Sequence, residues 1–225
     1  MLGEGKKIER WKEMETFPHV LQAKFEEVFN NNHSNKGKWQ KEVLKNNNPI
    51  VLELGCGRGE YSVGLAKHFP EKNFIGIDIK GARIWKGAKQ AQDNGLKNVA
   101  FVRTRIDQIN RFFDLTDGVS EIWITFPDPQ LRESKEKKRL TSPPFLNRYR
   151  QFSTPGTTIN LKTDSIEFFE YTLDFIQSES LSIQTISRDV AADFPNDPVL
   201  GIRTFYETMW LKEGKKIHYI KFTLQ

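Results

Sequence analysis

The chain has 225 residues, of which 37 % are apolar and 17 are Phe. That length suits one α/β domain with an extension and can bury a sizeable core, and no apolar run approaches the roughly 20 residues a membrane span needs. One cysteine excludes an internal disulfide and fits a reducing cytoplasm, four scattered histidines give no metal-ligand spacing, and a formal charge of +5 permits a polyanionic partner without requiring one.

In chain order, residues 1–48 are polar and helix-leaning and read as an N-terminal arm, with Trp11, Phe25, Val28 and Phe29 as packing candidates. Met1 to Lys12 is charged and lacks an apolar signal core, so export is not expected. Lys6, Lys7, Arg10, Lys12 and the Lys36–Lys45 region suit either a solvated helix face or a hold on a polyanion. Residues 49–225 form the main domain, where strand-like runs alternate with helical periodicity. The strands are expected at Ile50–Leu54, Phe74–Ile77, Val99–Arg103, Glu121–Thr125 and Thr157–Leu161, and the helices at Tyr61–His68, Arg83–Asn94 and Ile166–Ser178. Strands separated by helices imply crossovers and a parallel sheet. Ser182–Ser187 and His218–Leu224 have no full helix between them and predict an antiparallel pair at one edge.

The first run ends in Glu53-Leu54-Gly55-Cys56-Gly57-Arg58-Gly59, and the second ends in Asp78, nineteen residues beyond the last glycine. A strand therefore enters a glycine turn, a helix returns, and the next strand presents a carboxylate at its tip. Glycines tolerate positive φ and let a ligand lie against the backbone, and open α/β sheets bind ligands outside the carboxyl ends of their strands. Asp78 is placed to accept a ribose hydroxyl pair. A dinucleotide fingerprint would need a third glycine where Glu60 stands, and a carboxylate there would repel a pyrophosphate. Glu53 and Glu60 suit a cationic sulfonium instead. This E-x-G-x-G-x-G pattern with its strand-end acid resembles motif I of class I S-adenosylmethionine-dependent methyltransferases. That resemblance implies an α/β Rossmann-like fold: a mostly parallel seven-stranded sheet with an antiparallel edge pair and helices on both faces.

After the fourth strand comes Phe126-Pro127-Asp128-Pro129, then a basic run that includes Arg132, Lys135, Lys137, Lys138 and Arg139. Two prolines stiffen the loop around one carboxylate, and the cations beside it could hold a phosphate backbone. This segment, with Lys162-Thr163-Asp164 and Thr204-Phe205-Tyr206-Glu207 in order and at comparable spacing, is similar to the signature of tRNA (guanine-N7-)-methyltransferases. The resemblance covers roughly residues 50 to 210. It implies S-adenosylmethionine at Glu53, Gly55, Gly57, Gly59, Asp78 and Asp128, with Asp128 between methyl donor and base as the catalytic carboxylate. It implies tRNA contacts at Arg132, Asp164, Thr204, Phe205, Tyr206 and Glu207, and the variable-loop guanine as target. Many members carry an acid near the adenine, and ungapped alignment puts Arg105 in that slot, with Asp107 two residues on. Gln130-Leu131 replaces the family's Trp-His, and Phe205-Tyr206 replaces Lys-Phe.

N7 of guanine keeps a lone pair in the neutral base, so the chemistry needs orientation and charge balance more than a base. Cys56, within the turn, reads as a small turn residue and not a nucleophile. A class I methyltransferase acting on another RNA or a protein is the alternative, and a non-catalytic RNA-binding relic a further one. The expected setting is cytoplasmic, without metal or membrane, as a monomer or a homodimer.

Overall fold

A computed structural model describes residues 4–224. Helix α1 (Glu4–Glu15) leads into a two-residue strand β1 (Val20–Leu21), a short helix α2 (Phe25–Phe29) and a π-helical turn at Trp39–Leu44. Then follow β2 (Ile50–Leu54), α3 (Glu60–His68), β3 (Asn73–Asp78), α4 (Gly81–Asp93), β4 (Val99–Arg103) and β5 (Val119–Thr125). The second half adds α5 (Pro143–Arg150), β6 (Ser153–Thr163), α6 (Ile166–Ser178), β7 (Ile183–Ser187), α7 (Val190–Asp193), α8 (Phe205–Lys212) and β8 (His218–Thr223).

The described strands form one eight-stranded sheet in the order β1-β4-β3-β2-β5-β6-β8-β7. All neighbours are parallel except β6–β8 and β7–β8, so the expected antiparallel edge pair is present, although α7 and α8 stand between β7 and β8 where no full helix was expected. The count is eight and not seven because β1 joins the far edge, Val20 opposite Phe101, with Phe101 N donating to His19 O at 2.8 Å. Two residues carry no periodicity that a sequence could display. Helix α5 was also absent from the sequence expectations, although Ser142 followed by two prolines is a helix-start signal. No helix among the described residues is long and apolar enough to cross a membrane.

Alternation along each strand divides the interior into two cores, one on each face. Ile50, Leu52 and Leu54 of β2 point toward α5, α6 and the Trp39 turn, together with Phe113, Phe152 and Phe169. Val51 points the other way, toward α3 and α4, with Tyr61, Ile84, Phe101 and Trp123. The arm contributes to both: Trp39, Leu44 and Val28 to the first, Met14 and Phe17 to the second. Trp11 and Phe29 stay exposed, and the Phe25 side chain lies outside the described residues.

The strand order reverses between β2 and β5. The chain leaves β2 in the glycine turn and leaves β5 in the Phe126–Pro129 loop, so those two segments meet at the crevice where such sheets bind ligands.

Candidate active site

Gly55, Gly57 and Gly59 have φ of 76°, 55° and 71°, values that glycine reaches without a Cβ penalty. Their surroundings differ. A Cβ on Gly59 would lie 2.7 Å from Phe101 Cε1 and one on Gly87 2.7 Å from Arg58 O, so this pair lets the turn rest directly on α4. Gly55 and Gly57 face open space, with nothing nearer than 3.9 Å. The turn is latched by Gly55 N and Cys56 N, which both donate to Ile77 O, at 2.8 and 3.0 Å. Asp78 completes it: Oδ2 accepts from Gly57 N at 2.9 Å and Oδ1 from Lys80 N at 2.8 Å. Each oxygen keeps a further lone pair for a ligand hydroxyl.

Glu53 is held differently. It is 3 % exposed; Oε2 accepts from Ser62 N at 2.8 Å and Ser62 Oγ at 2.5 Å, and Oε1 from Thr125 Oγ1 at 2.8 Å. Burial raises its carboxyl to about 7 despite the opposing pull of these hydrogen bonds. Glu53 thus ties the first turn of α3 to the ends of β2 and β5 and does not line the crevice. Cys56 is buried in the same core, and burial with the nearby carboxylates pushes its thiol well up, away from a reactive thiolate.

Across the crevice, Phe126 and Gln130 both hold φ of 49° on either side of the Pro-Asp-Pro segment. Left-handed backbone at residues with side chains costs energy and persists where the surroundings enforce it. Phe126 N donates to Lys162 O at 2.8 Å, and Asp128 Oδ1 accepts from Gln130 N at 3.1 Å. The Asp128 carboxylate is exposed to the crevice.

The crevice encloses about 530 Å³ and is lined by Gly55, Asp78, Arg105, Asp107 and Asp128. Arg105 and Asp107 are a fork-to-carboxylate pair at 3.0 and 2.6 Å. The guanidinium holds the Asp107 carboxyl below its usual range. Sequence reasoning missed several lining residues, among them Ile79, Arg83, Phe145 and Arg148. Ile79 follows a strand tip, and the others sit on helices whose placement only the fold reveals. Lys137 and Lys138, within the basic run, line it too. The residues fit a nucleoside ligand: a bare glycine cradle, an oriented carboxylate at a strand tip, and the apolar side chains of Ile79 and Ile106 beside it.

The expected tRNA-contact residues lie around this crevice and not on its walls. Arg132 is exposed at the start of the Glu133–Lys138 turn. Asp164 follows β6, its Oδ2 3.5 Å from Lys215 Nζ. Thr204 caps α8, its Oγ1 accepting from Glu207 N at 3.0 Å. Phe205 is exposed beneath the Arg58 guanidinium at 3.8 Å, and Tyr206 lies under Arg83 at 5.6 Å. Glu207 is fully buried, with Lys162 Nζ at 2.9 Å and Arg203 Nη1 at 2.5 Å. Lys162 spends its other donors on Tyr61 OH at 3.1 Å and Leu200 O at 2.6 Å. That cluster fastens α8 to β6 and α3.

Residues 47–220 match the family described as "Putative methyltransferase". The chain is 51 % identical over 219 residues to the tRNA (guanine-N(7)-)-methyltransferase of Bacteroides fragilis, covering 97 % of this chain and 85 % of that one. It is 48 % identical to the enzyme of the same name from Christiangramia forsetii, over the full length of both. Among solved structures, the 16S rRNA methyltransferase KamB superposes with a TM-score of 0.60 at 16 % identity, covering 79 % of this chain and 88 % of that one, a likeness of fold alone. With its glycine turn, strand-tip acid and Phe-Pro-Asp-Pro loop gathered at one crevice, the chain belongs to the tRNA (guanine-N(7)-)-methyltransferase family.

Proposed function

We propose that this protein transfers the methyl group of S-adenosylmethionine to N7 of a guanine in tRNA, the variable-loop guanine being the target. The observation that carries the reading is the meeting of Asp78, Gly55 and Asp128 on one crevice. S-adenosylmethionine supplies a methyl carbon whose bond to sulfur breaks as the bond to nitrogen forms. Asp78, with both oxygens aimed by backbone N–H groups, accepts the ribose hydroxyls. Gly55 and Gly57 leave the space in which the rest of the donor lies against the chain, with Gly59 setting the turn. The Arg105–Asp107 pair borders the adenine.

The protein moves no proton, because N7 has a free lone pair. Its task is alignment and charge balance. Asp128, stiffened by two prolines, orients the base edge and offsets the positive charge that develops on the purine. Asp164 accepts from guanine N1 and its exocyclic amine. Arg132, with Lys137, Lys138 and Arg148, holds tRNA phosphates. Phe205 and Tyr206 face the nucleotide from α8, which Thr204 caps and which Glu207 anchors from within. A cytoplasmic site of action belongs to the same proposal and accords with a single cysteine.

Unmodified tRNA transcript, purified protein and labelled S-adenosylmethionine test this, followed by nucleoside analysis and borohydride–aniline cleavage. The expected result is 7-methylguanosine at one variable-loop position. Label in another nucleoside, or none despite donor binding, overturns the reading.

A further inference from the structure

Beside the glycine turn lies a second cavity of about 390 Å³, lined by Arg10, Arg58, Ala82, Arg83, Lys86 and Tyr206. Its four cations come from α1, the glycine turn and α4, which are distant in sequence. They are therefore not the solvated face of one helix. Among the described residues, none of the four forms a carboxylate ion pair. Like charges crowded without counter-charge repel, and an anion relieves that cost.

Three of the cations rest on aromatic faces: Arg10 on Trp85 at 4.0 Å, Arg58 on Phe205 at 3.8 Å and Arg83 on Tyr206 at 5.6 Å. Stacking of this kind fixes a guanidinium plane without neutralising it, leaving its donor fork for a phosphate. Arg83 also lines the main crevice, so the two spaces share a wall.

We propose that this cavity holds a backbone phosphate of the RNA substrate, close to the nucleotide that enters the crevice. The proposal rests on the tRNA reading for the identity of the polyanion. Arg10 and Lys86 line only this cavity, whereas Arg83 lines both, so the first two make the cleaner test.

The full chain and its Arg10→Gln/Lys86→Gln, Lys86→Gln and Arg10→Lys variants are titrated with tRNA across a salt series. The double variant is expected to bind roughly tenfold more weakly, with the slope of log K against log salt reduced by about 1. Lys86→Gln shifts the same way by less, and Arg10→Lys keeps most of the affinity. The rise in melting temperature with S-adenosylmethionine stays at the wild-type value, which shows that the variants fold. Unchanged affinity and slope overturn the site. So does a second outcome: inorganic phosphate at constant ionic strength stabilises the wild type alone while the tRNA slope is unaltered, marking a free-phosphate site. If tRNA gains no 7-methylguanosine but the slope difference persists, the reaction assignment falls and the phosphate site stands.

Discussion

Asp128 is flanked by two prolines and by two residues with φ of 49°, an expensive backbone for placing one exposed carboxylate at the crevice. Asp128→Asn keeps the shape and removes the charge. It should lower kcat by about 10²-fold, on the scale of losing one preorganised electrostatic contact, with S-adenosylmethionine and tRNA affinities near wild type. Single-turnover methyl transfer alongside equilibrium binding checks this, and wild-type kcat would remove the assigned role. Glu53 makes the second residue-scale prediction. Its folded carboxyl is raised from 4.5 to about 7, so folding favours the protonated form. Its contribution is full below about pH 4.5 and is lost as pH rises through 7, at about 1.4 kcal/mol per pH unit between those limits. Glu53→Gln is neutral throughout, so its stability should fall less than the wild type's between pH 5 and 8. Urea unfolding of both proteins across that range decides it, and parallel profiles count against the raised carboxyl.

At the scale of elements, the glycine turn separates packing from binding. Gly59→Ala drives a Cβ to 2.7 Å from Phe101 and should cost about 2 kcal/mol or more, combining a close contact with left-handed strain. Gly55→Ala meets no atom within 3.4 Å, so it should lose mainly donor affinity and only about 1 kcal/mol of stability. Melting curves with and without S-adenosylmethionine distinguish the two, and equal stability losses would contradict the division. The anchoring of α8 makes the second element-scale prediction. Lys162 and Glu207 are both fully buried, and desolvation holds the Lys162 amine below its usual range although Glu207 pulls the other way. Lys162→Met leaves Glu207 with Arg203 alone and should destabilise by about 3–5 kcal/mol, most of it recovered by adding Glu207→Gln. Because α8 presents Phe205 and Tyr206, the single variant should also raise KM for tRNA more than it lowers kcat. Denaturant midpoints and a KM–kcat split read both effects.

For the whole molecule, the question is whether residues 1–48 are dispensable. Met14, Phe17, Val28, Trp39 and Leu44 are buried across two cores. Trp39 Nε1 donates to Phe112 O at 2.7 Å, and Asp117 accepts from Gly37 N at 2.9 Å and Trp39 N at 3.2 Å. Deleting residues 1–48 should therefore abolish a cooperative melt, because it opens both faces of the sheet and strands the Asp117 carboxylate. A truncated chain that melts cooperatively within a few degrees of the full one would show the arm to be an accessory.

Much of this protein is legible in its chain because its information is local. Apolar runs bounded by glycine and acid mark β2 and β3, helical spacing marks α6 at Ile166–Ser178, and β-leaning runs mark β7 and β8, whereas the helix α8 between those two strands was not legible. Glycine widens and proline fixes the φ available at its own position wherever it stands, so the turn and the Asp128 loop are visible from residue types alone. The crevice is different. Glu53 and Glu207 are the same kind of residue as Asp78 in the sequence, yet the fold buries them among their own partners away from the crevice and sets Asp78, itself 8 % exposed, on the crevice wall. Nor does spacing reveal that Arg10, Arg58, Arg83 and Lys86 share a cavity, or that Val20–Leu21 closes the sheet. The sequence by itself determined the strand–turn–helix units and the chemistry at their tips. Only the tertiary structure decided which charges meet one another and which meet a ligand, because burial and pairing depend on what distant segments bring to the same place.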